Sequence, residues 1–406
     1  MTSSFDSPIR QIRRCLTPNG PSSINTRPMG LYNSLELDSN SNANSRVHLI
    51  QSDLWEAITG EHLSPQNICQ LCDISIPNPD VSSIALQYLH MSKDRQGSRA
   101  LQTKIQECSP AERSVIFAAL LPALNELVYD PCSNYVIQKL CEYTNSETDQ
   151  QFLQFFLENI DAVVDHPNGC RVLQKFIENT NKNNVDQIYV ALRDKIEPMC
   201  MSPNGNHIVQ RFIEMLPNRV PEIINIIESQ VTRLVIDSCG CRVVQKLFDR
   251  YDIRLLRPLV DEVLTCAADL AENQYGNYVV QNILDAGPES DIEQLLEDFR
   301  GGFYAFSIHK FASNVMERCI RRANGKQRQE IFTEIIGKDG FFDEGRILKM
   351  VTDQFGNYVI QRIIEFGTES QQTAIYNVVY DHYDEAIKRQ YAKHVISKLE
   401  DLGYEF

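Results

Sequence analysis

The sequence lacks the segments that would embed a protein in a membrane or carry it through one. It has no apolar run of about 18 residues, the length needed to cross a bilayer. Its opening stretch, MTSSFDSPIRQIRRCLTPNG, contains no apolar core of a secretory signal. Without such a signal, the 12 cysteines scattered along the 406 residues are expected to be reduced and mostly buried. We therefore expect a cytoplasmic protein with no membrane partner.

Ligands for a metal ion are also few. Cys69 and Cys72 form a CxxC pair and His62 lies nearby, but no second CxxC and no HxxxH follows. A structural zinc site needs four ligands at related spacings. We therefore expect no metal and no other cofactor.

The chain has fewer basic than acidic residues. The 39 lysines and arginines stand against 54 aspartates and glutamates, so the formal net charge is -15. This balance excludes a uniformly basic coat for nucleic acid, but it does not exclude a local basic strip on an acidic body.

The N-terminal part of the chain differs in composition from the rest. Residues 1–46 are rich in Ser, Asn and Pro and end in SNSNANS, which predicts disorder. In residues 47–80, VHLIQSDLWEAI could form a short amphipathic helix around Trp55, either packing on the next domain or serving as a short motif for a partner. We therefore divide the chain into an N-terminal segment, residues 1–80, largely disordered or capping, and a repeat domain, residues 81–406.

A five-residue motif recurs eight times at nearly constant spacing, which predicts a repeat architecture. Its copies are SRALQ at 98–102, NYVIQ at 134–138, CRVLQ at 170–174, NHIVQ at 206–210, CRVVQ at 241–245, NYVVQ at 277–281, SNVME at 313–317 and NYVIQ at 357–361. Successive copies start 36, 36, 36, 35, 36, 36 and 44 residues apart. An eroded ninth copy, KHVIS at 393–397, follows after another 36 residues.

Each repeat has room for two or three helices, and no strand-like runs alternate with turn pairs, which disfavours a propeller. Six of the eight residues four places before the motif are good helix N-cap types; the eight are Asp94, Asp130, His166, Ser202, Asp237, Asn273, His309 and Asp353. The residue directly before the motif is small and would permit close helix approach; these residues are Gly97, Ser133, Gly169, Gly205, Gly240, Gly276, Ala312 and Gly356. The sequence therefore predicts an all-α solenoid of eight repeats with atypical end caps.

Two faces of the predicted motif helix differ in character. At about 100° per residue, motif positions 3, 4, 7 and 8 share one face, which is apolar and predicts the core, as in Val136, Ile137 and Leu140. Positions 1 and 5 hold only Asn, Ser or Cys with Gln or Glu, and position 2 holds Arg, Tyr, His or Asn. Short polar groups can match the edge of a base, and flat groups can stack on it. The pattern predicts a reader of one base per repeat.

Charge on the same face supports this prediction. Motif positions 1–6 contain one acid, Glu317, and nine basic residues, which gives the strip a charge of +8. A basic strip on an acidic body is expected of a protein that binds single-stranded nucleic acid. The nine basic residues are Arg99, Lys139, Arg171, Lys175, Arg211, Arg242, Lys246, Arg318 and Arg362.

In their residues, order and spacing, these motifs resemble those of the Pumilio/FBF (PUF) family of RNA-binding proteins over about residues 82–406. The resemblance implies a crescent of three-helix PUF repeats that binds single-stranded RNA antiparallel on its concave face. In the family code, Asn with Gln reads uracil, Cys or Ser with Gln reads adenine, and Ser with Glu reads guanine. The implied base-edge pairs, from the 5′ base onward, are Asn357/Gln361, Ser313/Glu317, Asn277/Gln281, Cys241/Gln245, Asn206/Gln210, Cys170/Gln174, Asn134/Gln138 and Ser98/Gln102.

These pairs imply the element 5′-UGUAUAUA-3′, with a stacking layer at motif position 2. The implied stacking residues are Arg99, Tyr135, Arg171, His207, Arg242, Tyr278, Asn314 and Tyr358. Asn314 departs from the pattern because an amide stacks poorly. The guanine assignment also agrees with chemistry, since the acceptor-only carboxylate of Glu317 can accept from both N1–H and N2–H₂.

The resemblance further implies a non-enzymatic regulator that binds messenger RNA 3′ untranslated regions as a monomer and recruits deadenylase machinery. A protein-only scaffold would not need Asn/Gln pairs at positions 1 and 5. A nuclease would need an acid cluster or a histidine pair, whereas the repeated face offers one acid, Glu317, and one histidine, His207. The long step before the eighth repeat adds a loop at about 335–345, whose Phe341 and Phe342 either contact a partner or pack on the last repeat.

Residues 1–46 carry neither the repeat nor a dense basic run, so they should be dispensable for RNA affinity. A fragment that begins near residue 80 should bind the element within about threefold of the full chain in a binding titration, well below the tenfold change that corresponds to about 1.4 kcal/mol. A loss beyond tenfold would place the N-terminal segment in the site or in the fold.

Overall fold

The computed structural model describes residues 81–338 and 340–406. The predictions for residues 1–80, including those for Trp55 and the pair Cys69 and Cys72, lie outside the described residues. None of the helices in the described part of the chain is long and apolar enough to cross a membrane.

Three kinds of helix recur in a fixed order along the described residues. The leading helices are Val81–Lys93 (α1), Leu124–Leu127 (α4), Ile160–Asp165 (α7), Ile196–Met201 (α10), Val231–Val235 (α13), Ala267–Glu272 (α16), Phe303–Ser307 (α19), Glu344–Thr352 (α22) and Tyr383–Ala386 (α25). The motif helices are Arg95–Glu107 (α2), Ser133–Cys141 (α5), Pro167–Asn179 (α8), Gly205–Met215 (α11), Gly240–Arg250 (α14), Gly276–Ala286 (α17), Ala312–Arg322 (α20), Gly356–Phe366 (α23) and Ala392–Glu400 (α26).

A trailing helix completes each of the eight repeats. The trailing helices are Pro110–Leu120 (α3), Ser146–Glu158 (α6), Lys182–Leu192 (α9), Val220–Ile227 (α12), Arg257–Leu264 (α15), Glu289–Phe299 (α18), Gly325–Ile336 (α21) and Glu369–Asp381 (α24). Four single turns of 3₁₀-helix, Leu121–Ala123, Arg193–Lys195, Pro217–Arg219 and Glu228–Gln230, join trailing helices to their neighbours. Each motif helix contacts the next one, so the prediction of an all-α solenoid of three-helix repeats is confirmed.

The residue four places before the motif caps the motif helix in all eight repeats. A typical cap is Asp130, whose Oδ1 accepts from the backbone N–H groups of Cys132 and Ser133 at 2.9 and 2.7 Å. His166 does the same with Nδ1, which accepts from Asn168 and Gly169 at 3.1 and 3.4 Å. A neutral imidazole nitrogen is an acceptor, and His309 uses it in the same way. Only six of these eight residues are usual N-cap types, so capping by the two histidines was not predicted from residue type.

The small residue before the motif is required by the end of the leading helix. A Cβ atom on Gly240 would lie 2.7 Å from the Leu234 carbonyl oxygen and 2.9 Å from the Leu234 Cα atom. The same clash, with the residue six places earlier, recurs at Gly97 against Met91. The predicted close approach is therefore confirmed, and the neighbour is the leading helix of the same repeat.

The apolar face of the motif helices forms one continuous core with the leading and trailing helices. Val136, Ile137 and Cys141 are fully buried, as predicted from their motif positions. At the C-terminal end, α25 and α26 form a ninth leading and motif pair without a trailing helix. Tyr404 stacks on Tyr376 with ring centroids 4.7 Å apart, so the last residues of the chain help to cover the end of the core.

The 44-residue step before the eighth repeat contains a small β-hairpin. Gly337–Lys338 (β1) pairs antiparallel with Phe341–Phe342 (β2). Gly337 and Gly340 have φ of 93° and 83°, a left-handed conformation that glycine adopts without strain. Phe342 packs against the core, whereas 78% of Phe341 is exposed. Of the two alternatives predicted for this loop, packing on the protein itself therefore holds for Phe342. Contact of Phe341 with a partner stays a prediction.

A methyl group on Gly240 should destabilise the protein, because its closest neighbours are backbone atoms that cannot move aside. We expect Gly240→Ala to cost about 1–3 kcal/mol, the usual range for overpacking, and to lower the thermal unfolding midpoint. Gly325→Ala is the matched control, because Gly325 begins α21 with nothing within 4 Å of its Cβ position. It should leave the midpoint unchanged or raise it slightly. Equal midpoints for the two variants would contradict the steric argument.

Candidate nucleic-acid interface

Position 1 of the motif is buried in every repeat, although helical periodicity places it on the polar face. In the four Asn/Gln repeats, the asparagine is at most 1% exposed. Its Nδ2 donates to the backbone carbonyl of the capping residue, for example from Asn134 to Asp130 at 2.7 Å. We call the surface formed by motif positions 1, 2 and 5 of successive motif helices the groove. The asparagine therefore lies at the base of the groove, hydrogen-bonded to the start of its own helix.

The glutamine at position 5 is oriented by this buried asparagine. The glutamine Nε2 donates to the asparagine Oδ1 in all four repeats. The distances are 2.8 Å (Gln138 to Asn134), 2.9 Å (Gln210 to Asn206), 2.9 Å (Gln281 to Asn277) and 3.2 Å (Gln361 to Asn357). The bond uses one N–H of the glutamine and leaves its Oε1 carbonyl without a partner among the described residues. Each pair therefore presents a pre-oriented acceptor and donor to a ligand.

The Ser and Cys repeats orient their glutamine in a different way. Ser98 Oγ donates to the Cys132 carbonyl at 2.9 Å and accepts from Gln102 Nε2 at 3.1 Å. Cys170 Sγ donates to the Asn204 carbonyl at 3.1 Å and accepts from Gln174 Nε2 at 3.2 Å. In both cases the position 1 donor reaches the loop of the next repeat instead of its own cap.

Burial controls the state of the two cysteines at position 1. It raises the pKa of the Cys170 and Cys241 thiols to about 11, so both are protonated at neutral pH. Cys241 Sγ lies 3.6 Å from the Ser238 carbonyl, and Gln245 is half-buried one turn later. A protonated, buried thiol is a weak donor rather than a nucleophile or metal ligand. No group of three or more potential metal ligands occurs in residues 81–338 and 340–406.

The seventh repeat replaces the glutamine with Glu317. Its side chain is 22% exposed, and Oε2 lies 3.4 Å from Arg362 Nε of the next motif helix. Burial raises the pKa of Glu317, while Arg362, Arg321 and Arg318 act to lower it. Ser313 at position 1 is buried in the same helix. This repeat is the one predicted to read guanine.

The predicted stacking residues at position 2 form a row along successive motif helices. Tyr135 and Tyr358 are 53% and 50% exposed; Arg99, Arg171 and Arg242 are exposed, and His207, Tyr278 and Asn314 are half-buried. Asn314 Nδ2 donates to the Phe311 carbonyl at 3.2 Å. Seven of these eight side chains carry a planar group large enough to lie against a base.

His207 occupies the centre of this row. Burial lowers its pKa, and the neighbouring charges of Arg242, Arg171 and Arg211 lower it further. The imidazole is therefore neutral at pH 7, and its face is available without adding a charge to the row.

The +8 strip predicted from the sequence is largely neutralised, which corrects that prediction. All six basic residues at motif position 6 form ion pairs. The acids stand mostly at position 9, outside motif positions 1–6. By contrast, Arg99, Arg171 and Arg242 at position 2 form no ion pair with the described residues, so they carry the accessible positive charge of the strip.

Four repeats are joined by a continuous chain of these pairs, which we call the ion-pair ladder. Its members, in order of contact, are Lys139, Glu142, Lys175, Glu178, Arg211, Glu214 and Lys246. Distances along it are 2.7 Å for Lys139 to Glu142, 3.5 Å for Glu142 to Lys175, 3.3 Å for Lys175 to Glu178, 2.9 Å for Glu178 to Arg211 and 2.7 Å for Glu214 to Lys246. The sequence carried a signal for it, because acids recur at position 9 with the same spacing as the motif.

Comparison with known proteins identifies the architecture. The model of a NOP9-like PUF repeat domain matches residues 34–341, and that of a Pumilio-family RNA binding repeat matches residues 346–379. Both models describe PUF repeats rather than a catalytic domain.

Several curated proteins are similar over most of this chain. A Pumilio domain-containing protein of Schizosaccharomyces pombe is 27% identical over 335 residues, which cover 79% of this chain and 47% of that protein. Pumilio homolog 12 of Arabidopsis thaliana is 27% identical over 315 residues, which cover 76% of this chain and 52% of that protein. The chain therefore spans about half the length of these relatives.

Solved structures agree with the fold. The Puf3 RNA binding domain bound to the Cox17 RNA 3′ UTR recognition sequence site B has a TM-score of 0.70 and 27% identity, and the match covers 83% of this chain and 100% of that domain. PUF-8 in complex with PBE-RNA has a TM-score of 0.69 and 26% identity, with 84% and 100% covered. Taken with the eight capped motif helices, these matches show that the chain belongs to the PUF family of RNA-binding repeat proteins.

Proposed function

We propose that the protein binds single-stranded RNA sequence-specifically and that each motif helix reads one base. The observation that carries this proposal is the row of side-chain pairs at motif positions 1 and 5. In most repeats a hydrogen bond within the pair pre-orients the glutamine, as from Gln210 to Asn206 at 2.9 Å. Pre-oriented polar groups lose little rotamer freedom when a ligand binds, which suits a protein that must tell similar base edges apart.

The proposed element is 5′-UGUAUAUA-3′, read from the eighth repeat to the first. The four Asn/Gln pairs would contact uracil and the Ser or Cys pairs with glutamine would contact adenine. The row at position 2 would stack between bases, with Tyr135, Tyr358 and the exposed arginines as its largest flat surfaces. These contacts need unpaired bases, because a duplex hides both the Watson–Crick edge and the faces.

Regulation of messenger RNA in the cytoplasm is the proposed biological role. The RNA in the solved Puf3 complex is a 3′ UTR recognition sequence, which supports a similar class of target here. The protein would act as a monomer on the RNA and would influence translation or message stability through protein partners such as deadenylase machinery. The exposed Phe341 on the hairpin is a candidate contact for such a partner.

Glu317→Gln should change the base that the seventh repeat prefers. The amide removes one acceptor and places an NH₂ group near the two guanine donors, so affinity for UGUAUAUA should fall by about 1–3 kcal/mol, the usual scale for a paired base contact. Preference should shift toward UAUAUAUA, because Ser313 with glutamine matches the adenine pairs. The thermal unfolding midpoint should change little, since Glu317 lies at the groove rather than in the core. Binding titrations of both proteins with both RNAs measure the shift.

Glu178→Gln is the matched control for this substitution. It also removes a carboxylate from a motif helix, but Glu178 lies at position 9 between Lys175 and Arg211. It should change the affinity for the two RNAs by the same factor. If Glu317→Gln also strengthens binding to both RNAs alike and guanine stays preferred, Glu317 does not read a base.

The salt dependence of binding should be shallow for a protein that binds RNA. For single strands the slope of log K against log salt is about -0.7 per phosphate contact. Of the nine basic residues of the strip, only Arg99, Arg171 and Arg242 form no ion pair with the described residues, so we expect a slope of magnitude about 2 or less. Fluorescence titrations between low and physiological salt measure it. A slope near 6, the value for nine contacts, would mean that the paired cations are released to the phosphates.

A further inference from the structure

In four repeats, the cation at motif position 6 forms an ion pair with the preceding motif helix. Lys175, Arg211, Lys246 and Arg318 each contact the acid at position 9 of the motif helix before. In the seventh repeat, position 9 is Arg321 instead of an acid. Arg362 of the eighth repeat therefore lacks a partner of this kind.

Arg362 instead forms an ion pair with Glu317, the carboxylate that is predicted to read guanine. Its Nε lies 3.4 Å from Glu317 Oε2, and its Nη1 pairs with Glu365 on the same helix. The two side chains of the inter-helix pair are 19% and 22% exposed. Arg362 Nε is buried and makes no hydrogen bond, so the contact with Glu317 is a charge pair that leaves the carboxylate lone pairs available.

The other charges around Glu317 do not replace Arg362. Arg318 and Arg321 lie on the same motif helix as Glu317, and Arg318 is engaged by Asp285 of α17 at 3.6 Å. Glu365, from the same helix as Arg362, acts in the opposite direction. Burial raises the pKa of Glu317, Arg362 opposes it more than Arg321 or Arg318 does, and Glu365 adds to the rise.

We propose that Arg362 is the positioning residue for guanine recognition, because it holds Glu317 at the groove as an acceptor-only carboxylate. This inference rests on the proposed function and deepens it: specificity at the second base depends on a pair of repeats rather than on one. A protonated Glu317 would present one donor and one acceptor, as an amide does. Guanine would then lose its advantage over adenine, although no base-contacting atom had been removed.

The sign of the pH dependence follows from this chemistry. The carboxylate form exists above the pKa of Glu317, so preference for guanine is lost as the pH falls through that pKa. Removing Arg362 raises the pKa, and the midpoint of the loss moves to higher pH. Removing the negative charge of Glu365 lowers the pKa, and the midpoint moves to lower pH.

The experiment measures the affinity ratio for UGUAUAUA over UAUAUAUA across a pH series. Arg362→Gln should reduce the ratio at neutral pH by about fivefold, within the range of coupling between contacting residues, and should shift its midpoint upward. Arg362→Lys keeps the charge and should restore most of the ratio. Glu365→Gln should shift the midpoint downward, which provides a test in the opposite direction if Arg362→Gln folds poorly.

Arg211→Gln is the matched control, because Arg211 occupies the same motif position and bridges Glu178 and Glu214 without touching a position 5 acid. Whatever it does to overall affinity, it should leave the guanine ratio and its midpoint unchanged. Equal effects of Arg362→Gln and Arg211→Gln on the ratio, with no midpoint shift in either, would overturn the proposal.

A measurement without RNA separates this inference from the proposed function. Carboxyl ¹³C NMR of the free protein, with the Glu317 signal identified by its loss in Glu317→Gln, follows the titration of Glu317 directly. Its pKa should rise in Arg362→Gln, fall in Glu365→Gln and stay constant in Arg211→Gln. An unchanged pKa in the first two variants would overturn the positioning role. If the pKa values move as expected but the wild-type protein shows no preference for guanine, the proposed function has failed and the pairing has not.

Discussion

In each of the eight repeats, the start of the motif helix is fixed twice, by a capping side chain and by a small residue next to the leading helix. The cap satisfies backbone N–H groups that a helix terminus leaves without partners, and the close approach at Gly240 or Gly97 sets how far the two helices can turn about each other. Once the first turn is fixed, the positions of the following residues are determined by the helical period. Apolar positions face the core, and positions 1, 2 and 5 face the groove.

This constraint also explains the division of labour between Asn and Gln. The asparagine is bonded to the carbonyl of the capping residue, so the cap indirectly orients the glutamine one turn later. An amide pair on an ordinary exposed helix would lose rotamer entropy when it bound a ligand. Here the loss has already occurred during folding, and the hydrogen bonds of the buried Asn357 and Asn206 to the carbonyls of their capping residues help to offset it. In the repeats of Ser98 and Cys170, the position 1 side chain is held instead by a hydrogen bond to the following repeat.

Much of this arrangement was predictable from one sequence because it repeats. Eight copies of a motif reveal which positions are apolar, small or polar, and a regular solenoid turns that list directly into faces and layers. Sequence-based predictions were wrong or incomplete in two situations. In one, a residue type replaced another in the same structural role, and in the other an ion-pair partner lay outside motif positions 1–6. His166 and His309 cap as aspartate does, and the acids at position 9 neutralise cations that seemed accessible.

Other features could not be read from helical periodicity. It places position 1 on the polar face, yet whether a polar side chain such as Asn134 is exposed or buried depends on how closely the neighbouring repeat packs. The hairpin before the eighth repeat was expected as an inserted loop, but its strand pairing depends on left-handed glycines at two of its few residues. The burial of position 1 therefore depends on contacts between repeats, whereas the hairpin depends on local backbone geometry that helical periodicity does not describe.

The ion-pair ladder has a consequence for how such a protein can change. Glu142 contacts cations from two repeats, and so do Glu178 and Glu214, which means that each acid belongs to a junction as much as to a helix. A repeat transplanted to a new position would bring its own cation and acid but would meet different partners on both sides. The unit that can be moved intact is therefore the junction between two adjacent repeats, with the cation and the acid that form it. Evolution or engineering that reorders bases in the target would have to exchange both sides of a junction, and Glu317 would have to move together with Arg362.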